Sequence, residues 1–308
     1  MTTQDLASLA TEQINSKLAG LHNLSVSDLV LEMNKEDRRV ADVVRAESES
    51  ITALIENVIA QLRRGGRLIY LGAGTSGRLG VLDASECVPT FNTNVELVQG
   101  HIAGGDFALR NSIEGAEDSP SQGVKLVQEL EINQRDAVIG ITASGRTPFV
   151  LGAISEAKSR GAFTGGVTCN KNSSLRTIAD TTIEVEVGPE IVAGSTRLKS
   201  GTATKLILNM ISTISMIHLG KVYQNLMIDV RVKNEKLRER AENILMHLTN
   251  CDRRSAKSAL REANDEVRIA LIMLIAGVSA ATAFSQVQDD KKSLEQIINE
   301  LRREINVD

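Results

Sequence analysis

The sequence predicts an α/β fold: a doubly wound parallel sheet of about five strands, with helices ahead of it and a small all-helical domain behind it. Three observations carry that expectation. Between Arg67 and Val187, short apolar segments alternate with helical patterns. Those segments show little in–out alternation, as strands covered on both faces do. Beyond Gly201 the strand-like runs stop and only helical periodicity remains.

Residues 1–66 read as an N-terminal helical segment. Val40, Val43, Val44, Ile51, Leu54, Ile55, Val58, Ile59 and Leu62 recur at helical spacing, which predicts one long helix over 37–64, stopped by Gly65 and Gly66. Residues 67–220 form the α/β domain. Its strands are predicted at 68–71, 95–99, 137–141, 163–169 and 182–187, and its helices at 77–84, 107–116, 123–130, 149–159 and 174–179, followed by a buried helix over 203–219. Residues 221–308 form the C-terminal helical domain, with an amphipathic helix over 225–248, another over 254–263 capped from Asn250 to Asp252, two more, and a tail helix over 294–305.

A chain of 308 residues can bury a sizeable core with a satellite domain. Aromatics are only 2% with no Trp, so the core is aliphatic and base- or ring-stacking recognition is disfavoured. Net charge is −4 and no basic block occurs, which argues against nucleic acid as a partner. Cys87, Cys169 and Cys251 lie far apart, as do His22, His101, His218 and His247, so no metal-ligand spacing is present and no metal is expected. Met1–Leu6 lacks a basic region and an apolar core, and the charge-free run 269–288 has a continuously apolar part too short to span a bilayer and reads as a buried helix. The expectation is a cytoplasmic protein that does not enter a membrane.

The most informative feature is a pattern that occurs twice. A strand ending at Leu71 runs into Gly72-Ala-Gly-Thr-Ser-Gly-Arg78, and a strand ending at Ile141 runs into Thr142-Ala-Ser-Gly-Arg-Thr147 and Pro148. Helix starts present unpaired N–H groups and the positive end of the helix dipole, and glycine lets the backbone approach an anion. Gly74, Thr75, Ser76 and Gly77 in the first turn, and Ser144, Gly145, Arg146 and Thr147 in the second, therefore make a candidate phosphate site. Thr147 is the expected N-cap and Pro148 the first helical residue of the second helix. Gly72 to Gly77 also matches a dinucleotide fingerprint, but the next strand ends at Val98 and Gln99 without the acidic ribose partner, and the hydroxyl-bearing turn recurs.

The paired Ser-Gly-Arg turns resemble the sugar isomerase (SIS) domain, which binds phosphosugars. Longer stretches, Leu71–Cys87, Glu114–Asp118, Thr142–Pro148, Gly188–Lys205, Asn225–Asp229 and Asn234–Leu237, resemble the N-acetylmuramic acid 6-phosphate etherases. The resemblance implies a homodimeric enzyme without a cofactor. Its reaction would split the D-lactyl ether of that phosphosugar by β-elimination and water addition. It also implies that Glu86 and Glu117 are the catalytic carboxylates, with Glu86 as acid and Glu117 as base at C2.

Read from residues alone, the two roles are interchangeable. Charged residues make up 24% of the chain, so a lone Glu is ordinarily a solvated side chain, and Glu114 is a rival to Glu117 on the same predicted helix face. Ser195, Thr196 and Lys199, just before the buried helix, are candidate sugar or anion contacts, with helix capping as the plainer alternative; Arg197 and Lys205 are further cations there. His101 is either at the crevice or a plain loop residue. One unbroken helix would put Glu86 about 15 Å from Ser76. A break near Asp83–Ser85, helped by Pro89, is therefore expected, with a site shared between subunits as the alternative. Two other functions fit the same turns: a phosphosugar isomerase, which releases no lactate, and a non-enzymatic phosphosugar sensor, which would need no carboxylate pair.

Overall fold

Short glycine-linked strands and the helices between them build a five-stranded parallel sheet of order β2-β1-β3-β4-β5, from β1 (Leu68–Gly72), β2 (Val98–Ile102), β3 (Ala137–Ile141), β4 (Phe163–Thr168) and β5 (Thr181–Glu184). The structure is a computed structural model, which describes residues 9–229, 232, 235–287 and 294–305; Met1–Leu6, Asn234 and Gln288, which carried sequence expectations, lie outside the described residues. In register, Leu71 pairs with His101 on one side and Gly140 on the other. The chain starts at β1, steps outward to β2, then crosses back to β3, so the strand order reverses between β1 and β3. Ligands of open α/β sheets bind at such a reversal, outside the carboxyl ends of the strands.

The chain forms two units. One comprises the residues up to Glu86 together with Asn94–Ser215; the other comprises Cys87–Thr93 and the residues from Met216 on. In the first, the sheet is flanked by α1 (Val26–Ala46), α2 (Ser48–Arg63), α3 (Gly74–Phe91), the short α4 (Phe107–Arg110), α5 (Pro120–Glu129), α6 (Pro148–Ser159), the short α7 (Ser174–Ile178) and α8 (Lys199–His218). Ile69, Leu71, Val138, Phe149, Val150 and Ile154 fill a buried cluster on one side of it. In the second, a minimal hairpin of β6 (Val222–Tyr223) and β7 (Leu226–Met227) precedes α9 (Glu235–Thr249), α10 (Arg253–Glu262), α11 (Val267–Ala276), α12 (Ala280–Val287) and α13 (Leu294–Ile305). Ile244, Leu245, Leu260, Ile269, Leu271 and Ile297 are in its core.

Several expectations are corrected. The long helix over 37–64 is two helices, because Glu47 leaves helical geometry (φ −94°, ψ 17°) and its carbonyl and carboxylate accept the Ser50 hydroxyl. Strand β2 begins three residues later than predicted: Asn94 closes a turn by accepting the Glu96 and Leu97 amides, which leaves Val95 exposed. The helix over 107–116 lasts only to Arg110; Gly115, at φ +72°, turns the chain into a single 3₁₀ turn, Ala116–Asp118. Strands do not end with β5, since the hairpin at Gln224 (φ +54°) replaces the first part of the amphipathic helix. The described part of the apolar run 269–288 lies in a bent pair of helices, Val267–Ala276 and Ala280–Val287, at 117°, and among the described residues no single helix is long and apolar enough to cross a membrane.

The helix predicted to break near Asp83 does not break. Helix α3 runs without interruption from Gly74 to Phe91 with Pro89 inside it. A proline this close to the end removes one backbone hydrogen bond. Asp83, at the supposed break, is instead buried and fastened to α8, accepting hydrogen bonds from Asn209 Nδ2 (2.9 Å) and Ser212 Oγ (3.1 Å).

Helices α5 and α6 cross with almost no side chain between them. A Cβ on Gly123 would stand 2.1 Å from the Phe149 carbonyl oxygen, and one on Gly152 would stand 2.4 Å from that of Pro120. Gly152→Ala is therefore expected to cost about 1–3 kcal/mol of stability through overpacking, read as a lower urea midpoint at unchanged slope; an unchanged midpoint would mean the crossing has room to relax.

Candidate active site

Three helix starts gather at the carboxyl ends of β1, β3 and β4. The first is that of α3. A Cβ at Gly72 would lie 2.7 Å from the Gly77 amide nitrogen, and one at Gly77 would lie 2.6 Å from Ile102 Cγ1, so the glycines let the first turn of the helix sit directly on the strand ends. Gly74 adopts φ +52°, a conformation that glycine takes without strain. Thr75 and Ser76 are half-buried, and among the described residues neither hydroxyl has a hydrogen-bond partner.

The second start is that of α6, where Pro148 is the first helical residue as expected. Thr147 stands at the N-cap position, but its hydroxyl does not cap the helix. It bonds Thr142 Oγ1 instead, at 2.8 Å, and Thr142 Oγ1 also lies 3.2 Å from Ser144 Oγ and accepts the Gly145 amide. Thr142 thus orients both candidate hydroxyls, and among the described residues no side chain caps the first amides of α6. Gly145, at φ +71°, lies so close to Ser173 that a Cβ would come within 2.4 Å of the Ser173 Cβ. Arg146 donates its amide to Ser144 Oγ.

The third start, that of α8, is already occupied. Glu190, 1% exposed, accepts the Lys199 and Ser200 amides (both 2.9 Å) and the Ser200 hydroxyl (2.8 Å). A carboxylate in this position satisfies orphan donors and complements the dipole. A Cβ at Gly201 would sit 3.6 Å from Thr75 Cγ2, which places the start of α8 beside the first turn. Ser195 and Thr196, just ahead of it, are half-buried with hydroxyls that make no hydrogen bond to described residues.

Lys199 is not among these open groups. Its side chain is buried and its Nζ is ion-paired with Glu36 of α1 at 2.5 Å. Taking two charges out of water is tolerated only when they satisfy each other, so this lysine ties α1 to α8 and its charge is already balanced by Glu36. Arg197 is exposed. His101 lies inside β2, with Nε2 3.1 Å from Gln99 Oε1, and burial pushes its pKa down.

The two candidate catalytic carboxylates occupy different elements. Glu86 is on the exposed face of α3, ten residues beyond Ser76, a rise of about 15 Å in an unbroken helix. Glu117 is exposed in the 3₁₀ turn that follows Gly115. Glu114 precedes that glycine in irregular chain, so the shared helix face expected for Glu114 and Glu117 does not exist. Among the described residues, neither Glu86 nor Glu117 is hydrogen-bonded or ion-paired. Asp83, one turn before Glu86, is the opposite case: burial pushes its pKa up, against hydrogen bonds from Ser212, Tyr70 and Asn209.

Three contributors were not visible as site elements in the sequence. Thr142 was quoted only as part of a motif. Glu190 is one glutamate among many until its helix start is seen. The third is an N-terminal strap: Thr11, fully buried, accepts a hydrogen bond from Asn170 Nδ2 and takes the Gly194 amide on its carbonyl, while the same Asn170 group also donates to the Ala143 carbonyl. The strap therefore joins the second turn to the Gly194–Thr196 loop. Cys169, nearby, donates its thiol to the Ser200 carbonyl at 3.8 Å; burial pushes its pKa up to about 12, so it is not a nucleophile.

Comparison with known proteins gives consistent results. Residues 50–158 match the glucokinase regulatory protein N-terminal SIS domain, residues 120–214 match the SIS domain, and residues 224–268 match the C-terminal lid domain of glucokinase regulatory protein. The chain is 50% identical over 283 residues to the N-acetylmuramic acid 6-phosphate etherase of Geobacillus sp. (strain WCH70), covering 92% of this chain and 96% of the relative. It is 48% identical over 295 residues to N-acetylmuramic acid 6-phosphate etherase 2 of Enterococcus faecalis, covering 96% and 100%.

Removing the Glu190 carboxylate would leave three buried donors at α8 without an acceptor. Glu190→Ala is expected to lose about 2–3 kcal/mol, and Glu190→Gln less because one acceptor remains. Urea unfolding checks this; equal stability of Glu190→Ala and the parent would mean water replaces the carboxylate at no cost.

Proposed function

The chain belongs to the N-acetylmuramic acid 6-phosphate etherase family, and from that premise we propose how its residues carry the reaction. The activity is cleavage of the D-lactyl ether of N-acetylmuramic acid 6-phosphate, giving N-acetylglucosamine 6-phosphate and D-lactate. The observation that carries the assignment of the site is the pair of hydroxyl-bearing turns, Thr75–Ser76 and Ser144–Thr147, on open helix starts at the β1/β3 reversal.

The phosphate is bound by the first amides of α3 and α6, with Thr75, Ser76, Ser144 and Thr147 adding hydroxyl donors. Two helix dipoles and uncharged donors suffice for it, which accords with a lysine spent elsewhere. Ser195 and Thr196 contact the sugar. Lys199 is left out of this assignment because Glu36 holds it.

An ether oxygen leaves poorly, so both proton transfers need a catalyst. In the open-chain sugar, Glu117 takes the proton from C2, next to the C1 aldehyde. The C2 electron pair forms the C2–C3 double bond, and the C3–O bond breaks with its pair going to the lactyl oxygen. Glu86 protonates that oxygen and D-lactate departs. Glu86, now a carboxylate, takes a proton from water as the hydroxide adds to C3, and Glu117 returns its proton to C2. Both carboxyls finish as they began.

The unbroken α3 bears on where Glu86 acts. A hexose phosphate anchored at Ser76 does not span about 15 Å along the helix, so the Glu86 that meets the substrate is supplied by a second copy of the chain. The exposed face of α3 suits this, since Leu82, 50% exposed, stands one turn from Glu86. An unpartnered apolar stripe on α1, with Val26 78% and Val30 62% exposed, offers further contact area. We accordingly assign a homodimer with shared sites, in the cytoplasm.

The test is D-lactate release from N-acetylmuramic acid 6-phosphate by the parent, by Glu86→Gln and by Glu117→Gln, then by the two variants mixed under conditions of subunit exchange. The parent is expected to release lactate and each variant to lose most activity. Mixing should restore roughly a quarter of parent activity, the statistical value for exchanging symmetric dimers with shared sites. No recovery in a mixture shown to exchange would place both carboxylates in one subunit. A parent that binds the sugar phosphate without releasing lactate would favour the sensor.

A further inference from the structure

Arg78 belongs to the first Ser-Gly-Arg turn, and its position beside a phosphate site suggests an anion ligand. The structure uses it otherwise. Its Nε donates to the Leu109 carbonyl (2.9 Å), and its Nη2 donates to the carbonyls of Ala108 (2.7 Å) and Asn111 (3.2 Å). Ala108 and Leu109 belong to α4, a helix of only four residues, and Asn111 is its C-cap. So short a helix leaves nearly all its carbonyls without an internal partner. A guanidinium fork is suited to collect several of them at once, and its charge complements a helix C-terminus.

The clamped segment leads straight to Glu117. After Asn111 the chain folds back on itself. A Cβ placed on Gly104 would meet Ile113 Cδ1 at 2.8 Å, Ala108 Cβ at 3.2 Å and Ala116 Cβ at 3.4 Å, so Ile113 and Ala116 pack over the start of the same loop. Residues 104–117 thus make one closed loop, and Arg78 fastens its near side to the first turn of α3, two residues from Ser76.

We propose that Arg78 is a positioning residue that sets the distance between the phosphate turn and the C2 base. It touches neither substrate nor reacting atoms; it fixes the loop whose far side carries Glu117. This rests on the assignment of Glu117 above. The arginine of the first turn thereby has a task distinct from phosphate binding, although both Ser-Gly-Arg turns share a sequence.

The experiment compares the parent with Arg78→Lys and Arg78→Ala in three readouts. The first is steady-state lactate release. If Arg78 positions the base, kcat falls about 10²-fold in Arg78→Ala, the usual penalty for a displacement near 1 Å, while KM moves less than about threefold; Lys, a point cation without the fork, recovers little. The second is exchange of the C2 hydrogen of N-acetylglucosamine 6-phosphate with deuterium oxide, which reports the base step alone and should slow in parallel with kcat. The third is amide hydrogen exchange of the folded variants without substrate, in which protection should be lost over residues 107–118 and retained in β1, β3 and α6. Added guanidinium should rescue Arg78→Ala where ammonium does not.

A rise in KM, or in the inhibition constant of inorganic phosphate, with C2 exchange unaffected would make Arg78 a phosphate ligand and overturn the proposal. So would unchanged protection over 107–118, or full activity in Arg78→Ala. A parent that releases no lactate and exchanges no C2 hydrogen fails the assignment of Glu117 and removes the proposal with it. Parent activity with loss of C2 exchange in Glu117→Gln upholds that assignment and leaves Arg78 judged on its own readouts.

Discussion

The architecture depends on one close contact, the backbone of α3 lying on the ends of β1 and β2. Gly100 of β2 faces Gly80 and Val81 so closely that a Cβ on it would stand 2.6 Å from the Gly80 carbonyl group, and Gly77 is wedged between Gly72 and Ile102. Backbone meets backbone, and helix and strand are nearer than any side chains would permit. Much of the site hangs from this helix: the hydroxyls of Thr75 and Ser76 at its start, Arg78 reaching the loop of Glu117, Asp83 fastened to α8, and Glu86 one turn further on. The literal match to a dinucleotide fingerprint has the same origin. The glycines are required by the packing of helix on strand, whatever anion the turn receives.

The three helix starts divide a single electrostatic resource. Each carries unpaired amides and the positive end of a dipole. At α8 the protein satisfies its own, with buried Glu190, and Lys199 in the same turn is held by Glu36. At α3 and α6 no side-chain carboxylate is bonded to the helix start among the described residues, and the turns carry hydroxyls, which can donate to an anion without opposing it. At α6 the distinction is made by a single bond: Thr147 turns from the helix to Thr142.

What was legible in the sequence follows the range of the forces involved. The strands of the sheet, the two turns and Pro148 at the start of α6 are written locally, in apolar runs and turn residues, and the structure has them in place. Errors of boundary arose where a short-range polar contact outweighed periodicity, as at Glu47 and at Asn94. The contacts that assign tasks to side chains are between residues far apart in sequence. Arg78 meets carbonyls about thirty residues on, Asp83 meets Asn209, and Lys199 meets Glu36, separated by 163 residues. No spacing rule announces such pairs, so Lys199 read as a candidate anion contact, Arg78 as part of a turn motif, and the stretch from Asp83 to Ser85 as the place of a helix break.

The four residues Asp83-Ala-Ser-Glu86 show why the motif could not be apportioned by inspection. Both carboxylates are on α3, less than one turn apart, yet Asp83 faces the body of the unit and Glu86 faces outward. Burial raises the pKa of Asp83, and the hydrogen bonds it accepts keep the helix against α8. A helix free to break there could have swung Glu86 toward its own phosphate turn; a helix fastened there cannot. The same anchor that makes α3 straight makes Glu86 unavailable within about 15 Å of helix rise and leaves it, with Leu82 beside it, on a surface that another chain can reach. The unbroken helix on which the proposed shared site rests is thus held by Asp83, which the proposed reaction does not use.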